Sequence, residues 1–233
     1  MADARRIFTV GIGTSYHAAL VGAWLLRAAG SDARAISSFD FAVYQEAVDL
    51  RPEDAVIVMA HSGVKRYSAE ALARASAVGA RRVSVGSLTA THEGSQLVLR
   101  TVERERSAAF TASHLAAMMV LAQVTIVLGE ARNARGTAGF RAALEQLPGQ
   151  VEEAPGREDD VAPVAREAAH RRIYAVGAGP NEATATEAVI KVREAAQGWI
   201  DGFAIEQPNA NRTGATGGTR WIEAGGGNDG SKL

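Results

Sequence analysis

Two glycines and two hydroxyls stand together in Gly11-Ile12-Gly13-Thr14-Ser15, between a β-branched run, Ile7 to Val10, and a helical pattern from about Tyr16 to Ala29. The layout is strand, tight turn, helix start. A helix N-terminus presents unpaired N–H groups and the positive end of the helix dipole, so it receives anions. Glycines let the backbone come close, and Thr14 and Ser15 add side-chain donors. The chemistry this favours is a phosphate cradle built on Gly13, Thr14 and Ser15. The same residues would also serve as an ordinary βα turn with a Thr/Ser N-cap. The third glycine of a dinucleotide fingerprint and the Gly-Lys-Ser/Thr of a P-loop are both missing.

A second set, His61-Ser62-Gly63 with Lys65, follows the apolar run Ala55 to Ala60. Ser62 and Lys65 offer a hydroxyl and a point charge to a phosphate, and His61 offers a hydrogen-bonding ring. A solvated loop cation and a structural histidine are the plainer accounts of Lys65 and His61. A third set, Glu187, Lys191 and Glu194, is spaced i, i+4, i+7, along one helical stripe. Taken alone, it is an exposed ion pair worth a few tenths of a kcal/mol. Glu103 and Glu105 read as surface charges. His17, His92, His114 and His170 have no metal-ligand spacing, and no metal or cofactor is expected.

These residues must be positioned by the elements around them. At 233 residues with 47% hydrophobic content, the chain can fill one large or two small domains. A net charge of −1 gives no electrostatic case for nucleic acid or an acidic membrane. Without cysteine there is no disulfide, thiol nucleophile or thiolate site. The apolar run Leu115 to Leu128 is too short to span a bilayer, and the first residues lack a signal-peptide core. The expected location is cytoplasmic. Abundant Arg and Ala beside only three lysines read as a bacterial coding bias.

Strand and helix alternate from Ile7 to Thr101, the mark of a doubly wound α/β unit. Ala55-Val-Ile-Val-Met-Ala60 is the kind of run buried on both faces of a parallel sheet. Long helices follow at Phe110 to Ala131 and Ala138 to about Leu147, then an acidic linker or helix-connecting bend at 151–160. Ile173 to Asn181 repeats the opening strand and Gly-x-Gly turn, and a helix runs on from about Glu182 to Trp199. From Pro208 the composition is Asn-, Gly- and Thr-rich with no strand-like run. The expected organisation is 1–135 as a first domain, 136–160 as a helical connection and linker, 161–207 as a partial second domain, and 208–233 as a disordered, low-complexity tail. A lone strand at Ile173 to Val176 would leave two open edges.

With both turns and the helix ending Lys191-Val-Arg-Glu194 in view, the chain resembles the tandem sugar isomerase (SIS) domains, as in the isomerase region of glutamine–fructose-6-phosphate aminotransferase. The likeness covers roughly Ile7 to Gln207. Gly11-Ile-Gly-Thr-Ser15 matches the family's Gly-x-Gly-Thr-Ser phosphate loop. His61-Ser62-Gly63 falls at its Ser-Gln-Ser-Gly, with Ala60 and His61 in place of the first two residues, and Lys65 falls where Thr is usual. Ala109-Phe110-Thr111 matches the helix start Lys-Ala-Phe-Thr, with Ala108 at the Lys. Glu187 to Glu194 is similar to Glu-Gly-Ala-Leu-Lys-Leu-Lys-Glu, whose last residue is the proton-transferring carboxylate.

The resemblance implies a doubly wound parallel-sheet, three-layer domain followed by an incomplete second one. It implies binding of a phosphorylated sugar or amino sugar, and an ancestry in aldose–ketose isomerisation, aminosugar-phosphate aminotransfer or deamination. Glu194 would be the proton shuttle and Lys191 its electrostatic partner, while the first-domain loops would hold the phosphate. Glutaminase chemistry is not expected, because there is no cysteine. Pro208-Asn-Ala-Asn stands where the family has His-Gly-Pro, whose His helps open the sugar ring. Weak or absent turnover is therefore expected, with a sugar-phosphate sensing module or a non-functional truncated fragment as the alternatives. Neither nucleic acid nor membrane is an expected partner, and a homodimer is left open.

Overall fold

The two most apolar runs become the centre of a sheet. A computed structural model describes residues 1–107, 109–205 and 219–224, the last six by backbone alone. It divides the chain into two compact units, Met1–Glu152 and Glu153–Leu233.

In the first unit, β1 (Ile7–Gly11) and β3 (Ala55–Met59) are buried along their whole length. β2 (Ala33–Ser37), β4 (Arg81–Gly86) and β5 (Leu97–Arg100) complete a parallel sheet in the order β2-β1-β3-β4-β5. Five helices accompany it: α1 (Thr14–Ala28), α2 (Ser38–Val43), α3 (Arg66–Ala77), α4 (Ala112–Ala131) and α5 (Thr137–Glu153). The pleat sorts the central side chains onto two faces. Ile7, Ile57 and Met59 meet Ala19, Leu26 and Leu121 of α1 and α4. Phe8, Val10, Val56 and Val58 meet Phe41, Ala71 and Leu72 of α2 and α3. Three layers result, as the strand–helix alternation predicts.

α4 is long and apolar enough, by length and composition, to cross a membrane, which the shorter run Leu115 to Leu128 did not suggest. It packs on α1, and Leu121 and Ile126 are buried. A core helix passes the same test, so this one is no evidence for a membrane location.

The N-terminal edge of the sheet is tied by Asp54, which has no exposed surface. Arg5 grips its two carboxylate oxygens with Nε and a terminal nitrogen at 2.9 and 2.8 Å, Arg6 adds a contact at 3.1 Å, and the Arg51 N–H donates at 2.9 Å. Burial pushes the carboxyl up, but these donors outweigh it and hold Asp54 below the usual aspartate range.

The second unit departs from expectation. The acidic stretch after α5 is helical: a single 3₁₀ turn at Ala154–Arg157 leads into α6 (Glu158–Ala168). Pro155 sits near the start of the 3₁₀ turn, where its missing N–H costs nothing, and Glu158, Asp159 and Asp160 favour the positive end of the α6 dipole. β6 (Arg172–Gly177) and α7 (Asn181–Ala196) fall as expected, but β6 is not alone. β7 (Ile200–Ala204) and β8 (Thr219–Ala224) pair with it in parallel on either side, in the order β7-β6-β8. Both edges of β6 are therefore covered, and the expected lone strand is corrected. Gly202 disguises β7, yet it is required: a Cβ there would lie 2.9 Å from Val189 Cγ2 and 3.1 Å from the Ala185 carbonyl of α7. β8 hides between Gly-rich flanks inside the expected tail, whose other residues lie outside the described set.

Asp54→Asn is expected to destabilise the first unit by about 2–4 kcal/mol, because two arginines lose their shared carboxylate. Trp24 fluorescence during urea unfolding, in a Trp199→Phe, Trp221→Phe background, is the measurement. The pH dependence has a definite sign. A carboxyl depressed in the fold stabilises fully above its unfolded value near 3.9 and loses that stabilisation as pH falls through the folded value. The gap between parent and variant should therefore narrow below about pH 4.

Candidate ligand-binding cleft

The order β2-β1-β3 reverses the direction in which strands are added, so the loops leaving β1 and β3 open a crevice at their C-terminal ends. Both polar loops singled out in the sequence lie at this edge.

Gly11 closes β1. A Cβ on it would stand 2.5 Å from the Ser15 carbonyl oxygen and 2.8 Å from the Tyr16 nitrogen, so only glycine lets the first turn of α1 fold back onto the strand end. Gly13, at φ 55°, is the N-cap and has no side chain with which to cap the helix. Thr14 and Ser15 follow it as the first two residues of α1. The backbone donors are less open than the sequence suggests: the Ser15 N–H reaches the Ile12 carbonyl at 3.2 Å, and the Tyr16 N–H reaches that of Gly13 at 2.8 Å. An anion here would meet hydroxyls and the dipole more than bare N–H groups.

Thr14, Ser15 and His61 line one small cleft, of about 60 Å³, with Thr101, Ser113 and His114. That space holds a few waters or the polar end of a larger molecule. Ser62, Gly63 and Lys65 continue the loop after His61 but do not line the cleft. Ser62 and Lys65 are exposed, and Gly63 takes φ 100°.

Sequence reasoning missed Glu105, taken as a surface charge. Its carboxylate accepts the N–H groups of Thr111, Ala112 and Ser113 at 3.1, 3.2 and 2.7 Å, and so caps the α4 N-terminus. It also accepts the Ser113 hydroxyl. Burial opposes its ionisation, yet the Ser113 hydroxyl and these backbone donors hold the carboxyl down at about 2. Ser113 Oγ lies 2.9 Å from His61 Nε2, and Thr101 Oγ1 lies 3.3 Å from His61 Nδ1. The Phe110 ring stands beside His61, centroids 6.2 Å apart. Burial lowers the pKa of His61; the Glu105 charge opposes that shift and Arg104 adds to it. The available signal for Glu105 was its position seven residues ahead of Ala112, the first residue of α4, too far for an N-cap but within reach of a folded-back loop.

The second unit repeats the β1–α1 geometry without its chemistry. A Cβ on Gly177 would meet the Asn181 carbonyl at 2.0 Å, and Gly179 takes φ 57°. Pro180 and Asn181 occupy the places of Thr14 and Ser15, so the hydroxyl pair is absent. On α7, Lys191 Nζ lies 3.3 Å from Glu187 Oε1 and 3.1 Å from Glu194 Oε2. Glu187 is the buried carboxylate; Glu194 is considerably more exposed. The stripe expected on helical spacing is thus formed, with Lys191 shared between the two acids rather than lying idle on the surface.

A family model described as "SIS domain" matches residues 1–127. The glutamine–fructose-6-phosphate aminotransferases [isomerizing] of Halobacterium salinarum and Aeropyrum pernix are 27% and 31% identical to the chain, over 84% and 83% of it. The chain spans about a third of the length of these curated relatives, 33% of each. Among solved structures, the C-terminal domain of glucosamine-fructose-6-phosphate aminotransferase from Francisella tularensis superposes with a TM-score of 0.82 at 14% identity. That match covers 95% of this chain and 65% of the other, and it is a likeness of fold.

Lys191→Met should loosen the second unit by about 1–3 kcal/mol, because it removes a cation 3.3 Å from the buried Glu187 carboxylate; the partial exposure of Lys191 keeps the cost below that of a fully enclosed pair. Glu194→Gln, at the more solvated end, should cost less than about 0.5 kcal/mol. Hydrogen exchange of the α7 amides reads both. Equal effects would mean that Glu187 is not the carboxylate that depends on Lys191.

Proposed function

Because the chain belongs to the SIS domain family, we propose that it binds a phosphorylated sugar or amino sugar, with the phosphate held at the cleft of the first unit. The observation that carries this reading is the Gly11–Ser15 turn. Gly13 takes the N-cap position, leaving Thr14 and Ser15 beside the helix N-terminus and on the wall of a cleft at the switch point. Ser62 and Lys65 extend the polar surface from the next loop, where an exposed ammonium adds attraction for a dianion.

The chemistry inherited with this fold is aldose–ketose isomerisation, or amino-group transfer or removal at the neighbouring carbon. Each requires a base that takes a proton from the carbon beside a carbonyl and returns it next door. Glu194 is the residue in that role, and Lys191 holds it by an ion pair at 3.1 Å. Turnover is weak or absent in this reading, because His-Gly-Pro is replaced by Pro208-Asn-Ala-Asn. Binding and sensing is then the working function.

A hexose 6-phosphate should raise the melting temperature by several degrees at about 100 times its dissociation constant, where linkage contributes about 2.7 kcal/mol. The unphosphorylated hexose should raise it little. In Thr14→Ala, Ser15→Ala the phosphate-dependent part should disappear. A shift that survives both substitutions puts the anion elsewhere. Robust isomerase turnover abolished by Glu194→Gln would restore a full enzyme.

A further inference from the structure

Glu105, Ser113, His61 and Thr101 form one continuous hydrogen-bonded row along the cleft wall, and the row has a direction. Glu105 is ionised across the neutral range, so both its oxygens only accept. The Ser113 hydroxyl therefore gives its single proton to Glu105. Its oxygen then has only lone pairs left for His61 Nε2 at 2.9 Å, so Nε2 must carry a hydrogen. With burial disfavouring the imidazolium, the other nitrogen, Nδ1, is bare. It faces the Thr101 hydroxyl at a long 3.3 Å, while that hydroxyl lies nearer, at 3.0 Å, to the Gly86 carbonyl. Thr101 has one proton for the two acceptors, and the nearer carbonyl takes it. His61 is left as a neutral ring with an under-used acceptor, and its neighbours in the row, Thr101 and Ser113, both line the cleft.

We propose that Glu105 and Ser113 are positioning residues that fix His61 as the Nε2–H tautomer, so that Nδ1 accepts a hydrogen bond from a hydroxyl of the bound sugar phosphate. The proposal rests on the sugar-phosphate reading for its ligand, but not for the row itself. It selects ligand chemistry: a polyol phosphate carries hydroxyl donors on its carbon chain as well as its phosphate, whereas inorganic phosphate, HPO4 2− and H2PO4 − near neutral pH, carries only the P–OH of the anion itself. Charged groups around the ring bear on it in both directions. Glu105 favours the imidazolium, Arg104 disfavours it, and His114 is the other titratable group among the residues lining the cleft.

The ligand-free test uses the full chain with 15N-labelled histidine and long-range proton–nitrogen NMR. The expected result is a single Nε2–H pattern for His61 at pH 7 and a titration midpoint below the ordinary histidine value. Ser113→Ala should give mixed tautomers. Glu105→Gln keeps an oxygen for the α4 cap and should relax the tautomer as well, because its amide can reverse the Ser113 hydroxyl. An Nδ1–H tautomer in the parent, or an unchanged single pattern in both variants, would overturn the row.

The ligand arm compares a hexose 6-phosphate with inorganic phosphate by calorimetry. Ser113→Ala should weaken the sugar phosphate about tenfold and leave inorganic phosphate unchanged. Lowering the pH through the His61 midpoint should erode the preference for the sugar phosphate, because the imidazolium has no acceptor. Equal losses for both ligands would overturn the specificity role. If the parent chain binds neither ligand, the sugar-phosphate reading fails, while the NMR result still decides the tautomer independently.

Discussion

The Ser15 carbonyl occupies the space that a side chain on Gly11 would need. This contact sets how closely α1 can start behind β1, and hence where everything on its first turn points. Because the strand hands over to the helix within three residues, Thr14 and Ser15 arrive at the C-terminal edge of the sheet, beside the loop that leaves β3. A side chain at Gly11 would push the turn outward and carry the two hydroxyls away from His61. The central strands then hold this geometry from below, since β1 and β3 are buried on both faces and cannot tilt without opening two cores.

The sheet divides its polar groups between its two ends. At the N-terminal edge, a buried carboxylate is saturated by two guanidinium groups and a backbone N–H, an arrangement that anchors Asp54 and has nothing left to offer a ligand. At the C-terminal edge, the carboxylate of Glu105 caps a helix and orders a hydroxyl and an imidazole in series. Both carboxyls lie below their ordinary range because donors surround them. They differ in what lies beyond: Asp54 ends a network, and Glu105 begins one that reaches the cleft.

Local pattern carried much of the fold. β1, β3 and the helices behind them follow from apolar runs, glycine stops and turn chemistry, each confined to a few neighbouring residues. The same reading failed where long-range pairing decides. β7 looks unlike a strand because Gly202 is there for α7, and β8 is a short run between glycines that gains its identity from β6. In the cleft, Thr14, Ser15 and His61 were legible because their spacing after strands marks a switch point. Glu105 was not, since a cap reached through a folded-back loop has no fixed offset. Ser62 and Lys65 share the right loop, but their exposed side chains are not on the cleft wall, a distinction that residue type alone cannot make.

The β7-β6-β8 sheet also has a bearing on synthesis. β6 pairs with β7 after a helix-length connection, but its other flank waits for Thr219–Ala224, more than forty residues further along the chain. Closing the longer loop adds little equilibrium cost, since that cost grows only with the logarithm of length. The order in which the ribosome releases the chain matters more. Until Ala224 has emerged, the N–H and C=O groups on one side of Arg172–Gly177 have no strand to meet. A chain that lacks β8 presents an open parallel edge to its neighbours, the exposure that pairing with Thr219–Ala224 removes.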